Sequence, residues 1–212
     1  MTIEDILPRF IILILSLSFH EAAHAWTSDK LGDPTARMLG RITMNPLAHI
    51  DWIGTVLFPL LAMYSGLPLI GWAKPVPVSW QNLRSPRRDF AIVAAAGPLS
   101  NLVLAFGAAA ILMAVPGGAS ALAADATTLG GFLTLFVVTN VLLAVFNMVP
   151  VPPLDGGNVI SGIVPEPVAR LIDMMRPFGF ILLYALMLMP PGNPMLWRII
   201  EPVFIVIIRW LL

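Results

Sequence analysis

A helix needs about 20 mostly apolar residues to cross a hydrocarbon core of about 30 Å, and this chain supplies such stretches repeatedly. Five read as crossings: 6–26, 90–115, 129–149, 178–189 and 195–212, the fourth extending back through a kink at Pro177. A sixth stretch, 53–70, is interrupted by Pro59, Gly66 and Pro68. With 58% hydrophobic and 11% charged residues, the chain departs from the roughly 45–50% apolar and 25% charged composition of soluble domains. Such apolar content excludes a disordered chain. The absence of cysteine excludes a disulfide scaffold and a thiolate metal site. Twelve Lys and Arg balance twelve Asp and Glu with no basic stripe, which argues against nucleic-acid binding.

These features predict an all-α polytopic membrane protein with about five spanning helices and one re-entrant or broken segment. Residues 1–212 are read as a single membrane-embedded domain, with a core over about 6–160 and accessory helices over about 166–212. Small extended or β elements are expected in the loops at 36–43 and 74–80; Pro75 and Pro77 limit the second to an edge. Ala23-His24-Ala25 fits a cleavage site, but Glu4 and Asp5 stand where a signal peptide needs positive charge. The first stretch is therefore expected to be retained.

Two of the three histidines lie in His20-Glu21-Ala22-Ala23-His24. Positions i and i+4 share a helix face, so both imidazoles can address one metal ion, and Glu21 lies about 100° round the helix, within reach of water at that ion. Two neutral imidazoles and a glutamate base are the working parts of a zinc-hydrolase helix. Placing them inside an apolar span costs several kcal/mol unless they are partnered. The plain alternative is a polar helix face packed on neighbours or lining a transport path. A hydrolytic zinc usually takes a third protein ligand, for which His49 and Asp155 are the candidates. Asp155 ends an apolar span in Asn147-Met-Val-Pro-Val-Pro-Pro-Leu-Asp155-Gly156-Gly157. The prolines and glycines there break the helix, and irregular backbone at membrane depth belongs in protein or beside a wet cavity. Asp155 could equally cap a following helix. His49 fits an interfacial histidine bonded to backbone better than a gate, a proton carrier or a ligand's partner.

Three blocks, His20-Glu21-x-x-His24, the Gly97-Pro98 helix and Asn147-x-x-Pro150-x-x-x-Leu154-Asp155-Gly156-Gly157, together resemble the site-2 protease family of intramembrane zinc metalloproteases. The resemblance implies one zinc per chain held by His20, His24 and Asp155. It also implies a water-activating role for Glu21, and Asn147 steadying the substrate carbonyl. It implies a minimal member without a PDZ or CBS domain, acting on spanning helices of other membrane proteins in the bilayer. A transporter or metal-ion carrier is the rival reading, although no inverted repeat of the kind carriers show is visible. No sequence feature assigns an oligomeric state.

The zinc reading constrains topology. His20, His24 and Asp155 lie at the far ends of the first and the 129–149 stretches, which must then run in the same direction. One crossing only fits between them, so 53–70 should dip in and return. Lys30, Arg37, Arg41, Lys74, Arg84, Arg87, Arg88, Arg170 and Arg176 then share one side. Basic residues favour the cytoplasm. The expected arrangement is a multi-pass cell-membrane protein with an outside N-terminus and its active site in the cytoplasmic half.

Overall fold

The structure is a computed structural model that describes residues 3–65, 72–115, 125–189 and 194–212. Among these residues the secondary structure is helical. The first helix, α1 (Ile3–Lys30), overruns its predicted stretch at both ends, and Gly32 in a left-handed conformation turns the chain away after it. A single turn, α2 (Thr35–Met38), follows. A wide π-helical turn at Trp52–Leu57 runs into α3 (Phe58–Ser65). Next come α4 (Pro86–Ala114) and α5 (Leu129–Asn147), then α6 (Asp155–Ile163). The chain ends in α7 (Glu166–Met175), α8 (Gly179–Leu188) and α9 (Met195–Leu211). A short 3-10 turn containing Pro177 joins α7 to α8, so the expected kink is present.

Among the described residues, four helical stretches are long and apolar enough to cross a membrane: Glu4–Lys30, Pro86–Ala114, Leu129–Asn147 and Glu166–Leu188, the last being α7 and α8 with the turn between them. Their outward faces carry exposed Leu7, Ile11, Val103, Phe106, Ile111, Phe180 and Ile181. A water-soluble protein would not tolerate apolar cover on this scale, and the chain is a multi-pass membrane protein. At its centre α4 packs against both α1 and α5. Ala105, Ala108 and Ala109 of α4 meet Leu133, Val137 and Val141 of α5. Small side chains let helix backbones approach closely where lipid offers no hydrophobic drive. Leu196 and Ile200 of α9, with Leu183 of α8, close over Val149 and Leu154 of the loop before α6.

The described part of the 53–70 stretch is helical as far as Ser65. At about 1.5 Å per residue, Trp52–Ser65 falls short of a core about 30 Å thick. The chain beyond it comes back to where it left. Trp72 N–H donates to the Gly54 carbonyl at 3.1 Å, Thr55 Oγ1 donates to the Trp72 carbonyl at 2.8 Å, and Lys74 N–H donates to the His49 carbonyl at 2.9 Å. Both ends of the excursion therefore lie at one level. Residues 66–70 of that stretch fall outside the described residues.

The loop expectations need two corrections. Residues 36–38 are helical rather than extended, because Pro34 sets a helical φ at the N-cap position and starts the turn. The 74–79 stretch is extended but joins no strand among the described residues. Pro75 and Pro77 have no N–H, and the N–H groups of Val76 and Ser79 are spent on side chains, Glu21 and Asp33.

Asp33 ties these loops together. It is fully buried and accepts bonds from Thr35 N–H at 3.1 Å, Ser79 N–H at 2.7 Å and Asn82 Nδ2 at 3.0 Å. Burial opposes its charge, but the donors from Thr35, Asn82 and Ser79 prevail and hold its carboxyl below the ordinary 3.8. A lowered folded-state value stabilises the fold above the unfolded pKa, and that contribution is lost as pH falls through the folded one. Asp33→Ala should therefore lower the melting temperature at neutral pH, with the gap to wild type closing below pH 3.8. A gap that widens on acidification would contradict the clamp.

Candidate metal centre

His20 and His24 sit one turn apart on the face of α1 that meets α4, and both are buried. Their rings stand edge to face with centroids 4.6 Å apart. Helix α4 answers with the same spacing. His24 Nδ1 donates to the Val93 carbonyl at 2.7 Å, and His20 Nδ1 donates to Asn101 Oδ1 at 2.7 Å. Gly97 lies midway between those partners. A Cβ built there would stand 2.5 Å from both Nε2 atoms. No residue but glycine leaves the rings this space. Pro98 also removes one rung of α4 at the Ala94 carbonyl.

Asp155 arrives from the other side, as the first residue of α6. It does not cap that helix; Leu154 occupies the N-cap position. Gly156 and Gly157 let α6 start hard against the preceding loop, because a Cβ at Gly156 would stand 2.3 Å from the Met148 carbonyl oxygen, and one at Gly157 2.8 Å from Pro152 N. The carboxylate is thereby carried to the histidines. Its Oδ2 lies 3.0 Å from His20 Nε2 and 3.4 Å from His24 Nε2. One donor atom from each of the three residues falls within 4.8 Å of the others.

The chemistry of this set tests its fitness for a cation. Each Nδ1 faces an oxygen acceptor, so each Nδ1 carries a proton, and a ring that is neutral then turns a bare Nε2 lone pair inward. Asp155 Oδ2 is buried, and with both Nε2 atoms bare no side chain donates to it. Three acceptors converging in a low-dielectric interior repel one another unless a positive charge lies among them. Ligating histidines are oriented in the same way, through a bond made by the other ring nitrogen. The residues fit a divalent metal ion.

Glu21 lies beside this set on α1, and its Oε2 accepts the Val76 N–H at 2.9 Å. The extended 74–79 stretch thus crosses next to the centre. Asn147 ends α5, and its Nδ2 is bonded back to the Leu143 carbonyl at 2.9 Å; the structure does not join it to the histidines. His49 stays in its loop. Its Nε2 bonds the Thr43 carbonyl at 2.8 Å, and its Nδ1 faces the Arg41 guanidinium at 3.5 Å. Burial above all, and then the Arg41 charge, hold its pKa below 6.5. Arg41 in turn donates to the Lys74 carbonyl and anchors the extended stretch. Sequence reasoning passed over Asn101, a lone amide in an apolar span four residues after Gly97. Its polarity at that depth was the signal available.

Fold and donor set define a candidate metal centre held among membrane helices, and comparison with known proteins gives its class. A profile of Peptidase family M50 matches residues 115–186, the part that contains the Asn147–Gly157 block. The chain is 38% identical over 199 residues to the Bacillus subtilis (strain 168) protein named "Putative zinc metalloprotease YwhC", covering 93% of this chain and 88% of that one. It is 28% identical over 181 residues to "Putative zinc metalloprotease Rip2" of Mycolicibacterium smegmatis, and 30% identical over 183 residues to the Rip2 of Mycobacterium tuberculosis strain H37Rv. Each of these two alignments covers 85% of this chain and 66% of the relative. No solved structure matches significantly. The chain belongs to Peptidase family M50.

Gly97→Ala tests the cradle. Alanine favours a helix interior over glycine by about 0.5–1 kcal/mol, so α4 should persist. Cobalt(II) binding, read by its visible spectrum, should weaken about tenfold or more as the rings are displaced. Unchanged binding would contradict the geometry.

Proposed function

We propose that this chain is an intramembrane zinc endopeptidase that hydrolyses peptide bonds in or near spanning helices of other membrane proteins, as in regulated intramembrane proteolysis. The observation that carries the reading is the convergence of His20 Nε2, His24 Nε2 and Asp155 Oδ2 within 4.8 Å of one another. These three residues would hold one zinc ion per chain, with α4 buttressing both rings. When bound, zinc supplies Lewis acidity that polarises a carbonyl and makes water more acidic.

Glu21 is the general base of this reading. Its carboxylate takes the proton of the attacking water and returns it to the leaving amine. The Val76 N–H holds one carboxylate oxygen and so fixes the direction of the other. Asn147 steadies the substrate carbonyl as negative charge develops, which requires its amide to exchange the Leu143 carbonyl for the substrate. A spanning helix must unwind before its backbone can be cut. The extended 74–79 stretch beside Glu21 offers a place for the unwound segment to lie as an added strand. Helices α1, α4 and α6 carry the centre, and α7 to α9 brace it, within a single domain.

Orientation follows from charge. With both ends of the 53–70 excursion at one level, the basic residues of the Lys30–Arg41 and Lys74–Arg88 loops share a side, which the positive-inside rule assigns to the cytoplasm. The native chain has no cysteine, so Met38→Cys and Gln81→Cys give clean probes. Both should react with a membrane-impermeant maleimide from the cytoplasmic face only. Reaction of the two from opposite faces would contradict the topology.

Glu21→Gln tests the chemistry. The variant should retain zinc and lose cleavage by about 100-fold or more, the share general-base catalysis supplies. Membrane proteins cut by the wild type should accumulate uncut in cells carrying it. Undiminished cleavage, or loss of zinc together with cleavage, would contradict the assignment of Glu21.

A further inference from the structure

We propose that Asn101 is a positioning residue for the metal centre, and that a buried amide chain through Asn140 and Ser16 fixes which way it points. The inference rests on the zinc reading above and extends it to residues outside the ligand set. Asn101 on α4 and Asn140 on α5 are both fully buried, in the middle of apolar spans. A primary amide has one acceptor oxygen and two donor hydrogens, and here these groups can be followed in sequence. Asn101 Oδ1 accepts from His20 Nδ1 at 2.7 Å. Asn101 Nδ2 donates to the Ser16 carbonyl at 3.2 Å and to Asn140 Oδ1 at 2.9 Å. Asn140 Nδ2 donates to Ser16 Oγ and to the Phe136 carbonyl, both at 2.9 Å.

Only one orientation satisfies this chain. If Asn101 flipped, its NH2 would face the His20 Nδ1–H, and its oxygen would face the Ser16 carbonyl and Asn140 Oδ1. All three contacts would be repulsive. With the orientation fixed, Asn101 presents an oxygen to His20. That oxygen keeps the proton on Nδ1 and turns the Nε2 lone pair toward Asp155. His24 needs no such device, because the Val93 carbonyl can only accept. The two ring partners share one face of α4 with Gly97 between them. Helix α4 is thus the template that sets both tautomers, and α1 and α5 lock the template by way of Ser16 and Asn140.

A role confined to holding helices together predicts different behaviour, and the two can be separated. Full-length protein in detergent, wild type and variant, would be titrated with zinc against a chromophoric chelator, with melting of the metal-stripped protein recorded alongside. Asn101→Leu keeps the volume and removes the acceptor; it should weaken zinc binding about 10- to 100-fold, the usual effect of losing a ligand's hydrogen-bond partner. Asn101→Asp keeps an acceptor toward His20 and should bind zinc more tightly than Asn101→Leu. Asn140→Leu acts only through Asn101 and should cost less than Asn101→Leu. Wild-type affinity in Asn101→Leu, whatever its melting temperature, would overturn the proposal. A readout free of variants is available because the chain has only three histidines. With 15N-labelled histidine and cadmium-113 in place of zinc, His20 should show metal coupling at Nε2 and a slowly exchanging Nδ1–H. Coupling at Nδ1 would overturn the proposal even if no variant folds. Failure of the wild type to bind zinc would instead remove the reading beneath it.

Discussion

Three lone pairs brought together in a low-dielectric bundle is the interaction on which the rest of this structure depends. Two come from imidazoles one turn apart on α1 and the third from a carboxylate at the start of α6. With both rings neutral, none gains from the others unless a positive charge lies among them. The surrounding helices are arranged to hold them there. Val93, Gly97 and Asn101 repeat every four residues along α4, matching His20 and His24 along α1. An oxygen thus lies behind each ring and an empty Cα between them. Glycines at 156 and 157 let α6 begin close enough for Asp155 to reach.

Hydrolysis also needs water and an accessible peptide bond, neither of which lipid provides. The loops at one end of the bundle place polar groups beside the centre. Asp33 gathers the end of α1, the α2 turn and Ser79, while Arg41 and His49 hold Lys74 and its neighbours. The result is an extended stretch that passes Glu21 with one backbone N–H on its carboxylate. The same anchors fix both ends of the 53–70 excursion, and so the stretch that looked most ambiguous in hydropathy becomes part of the frame around the centre.

Much of this was legible in the sequence because it follows from spacing and polarity. The i, i+4 histidines announced a shared face, and Asp155 stood out among prolines and glycines where helix had to break. The requirement that distant ligands meet implied that one apolar stretch should turn back. Other features depended on tertiary partners that spacing does not encode. Nothing local told Asn101 from an amide that merely joins helices, since its meaning lies in facing His20 across 81 residues. Residues 36–38 read as extended because their composition is indifferent, and Pro34 decided the matter locally. The 74–79 stretch is extended as its prolines required, and it joins no strand among the described residues because two of its residues lack N–H groups and two others bond side chains. The Asn147 amide could not be placed from sequence, because a bond to its own helix competes with any role in the site.

The central claim is that one ion binds two imidazoles and one carboxylate within the membrane bundle. X-ray absorption at the zinc edge, with metal content measured on the same purified protein, tests it most directly. The account predicts one zinc per chain with two histidine nitrogens and a carboxylate oxygen from the protein, and one protein ligand fewer after Asp155→Ala. A protein that carries no zinc, or whose zinc keeps an unchanged environment in that variant, would contradict it.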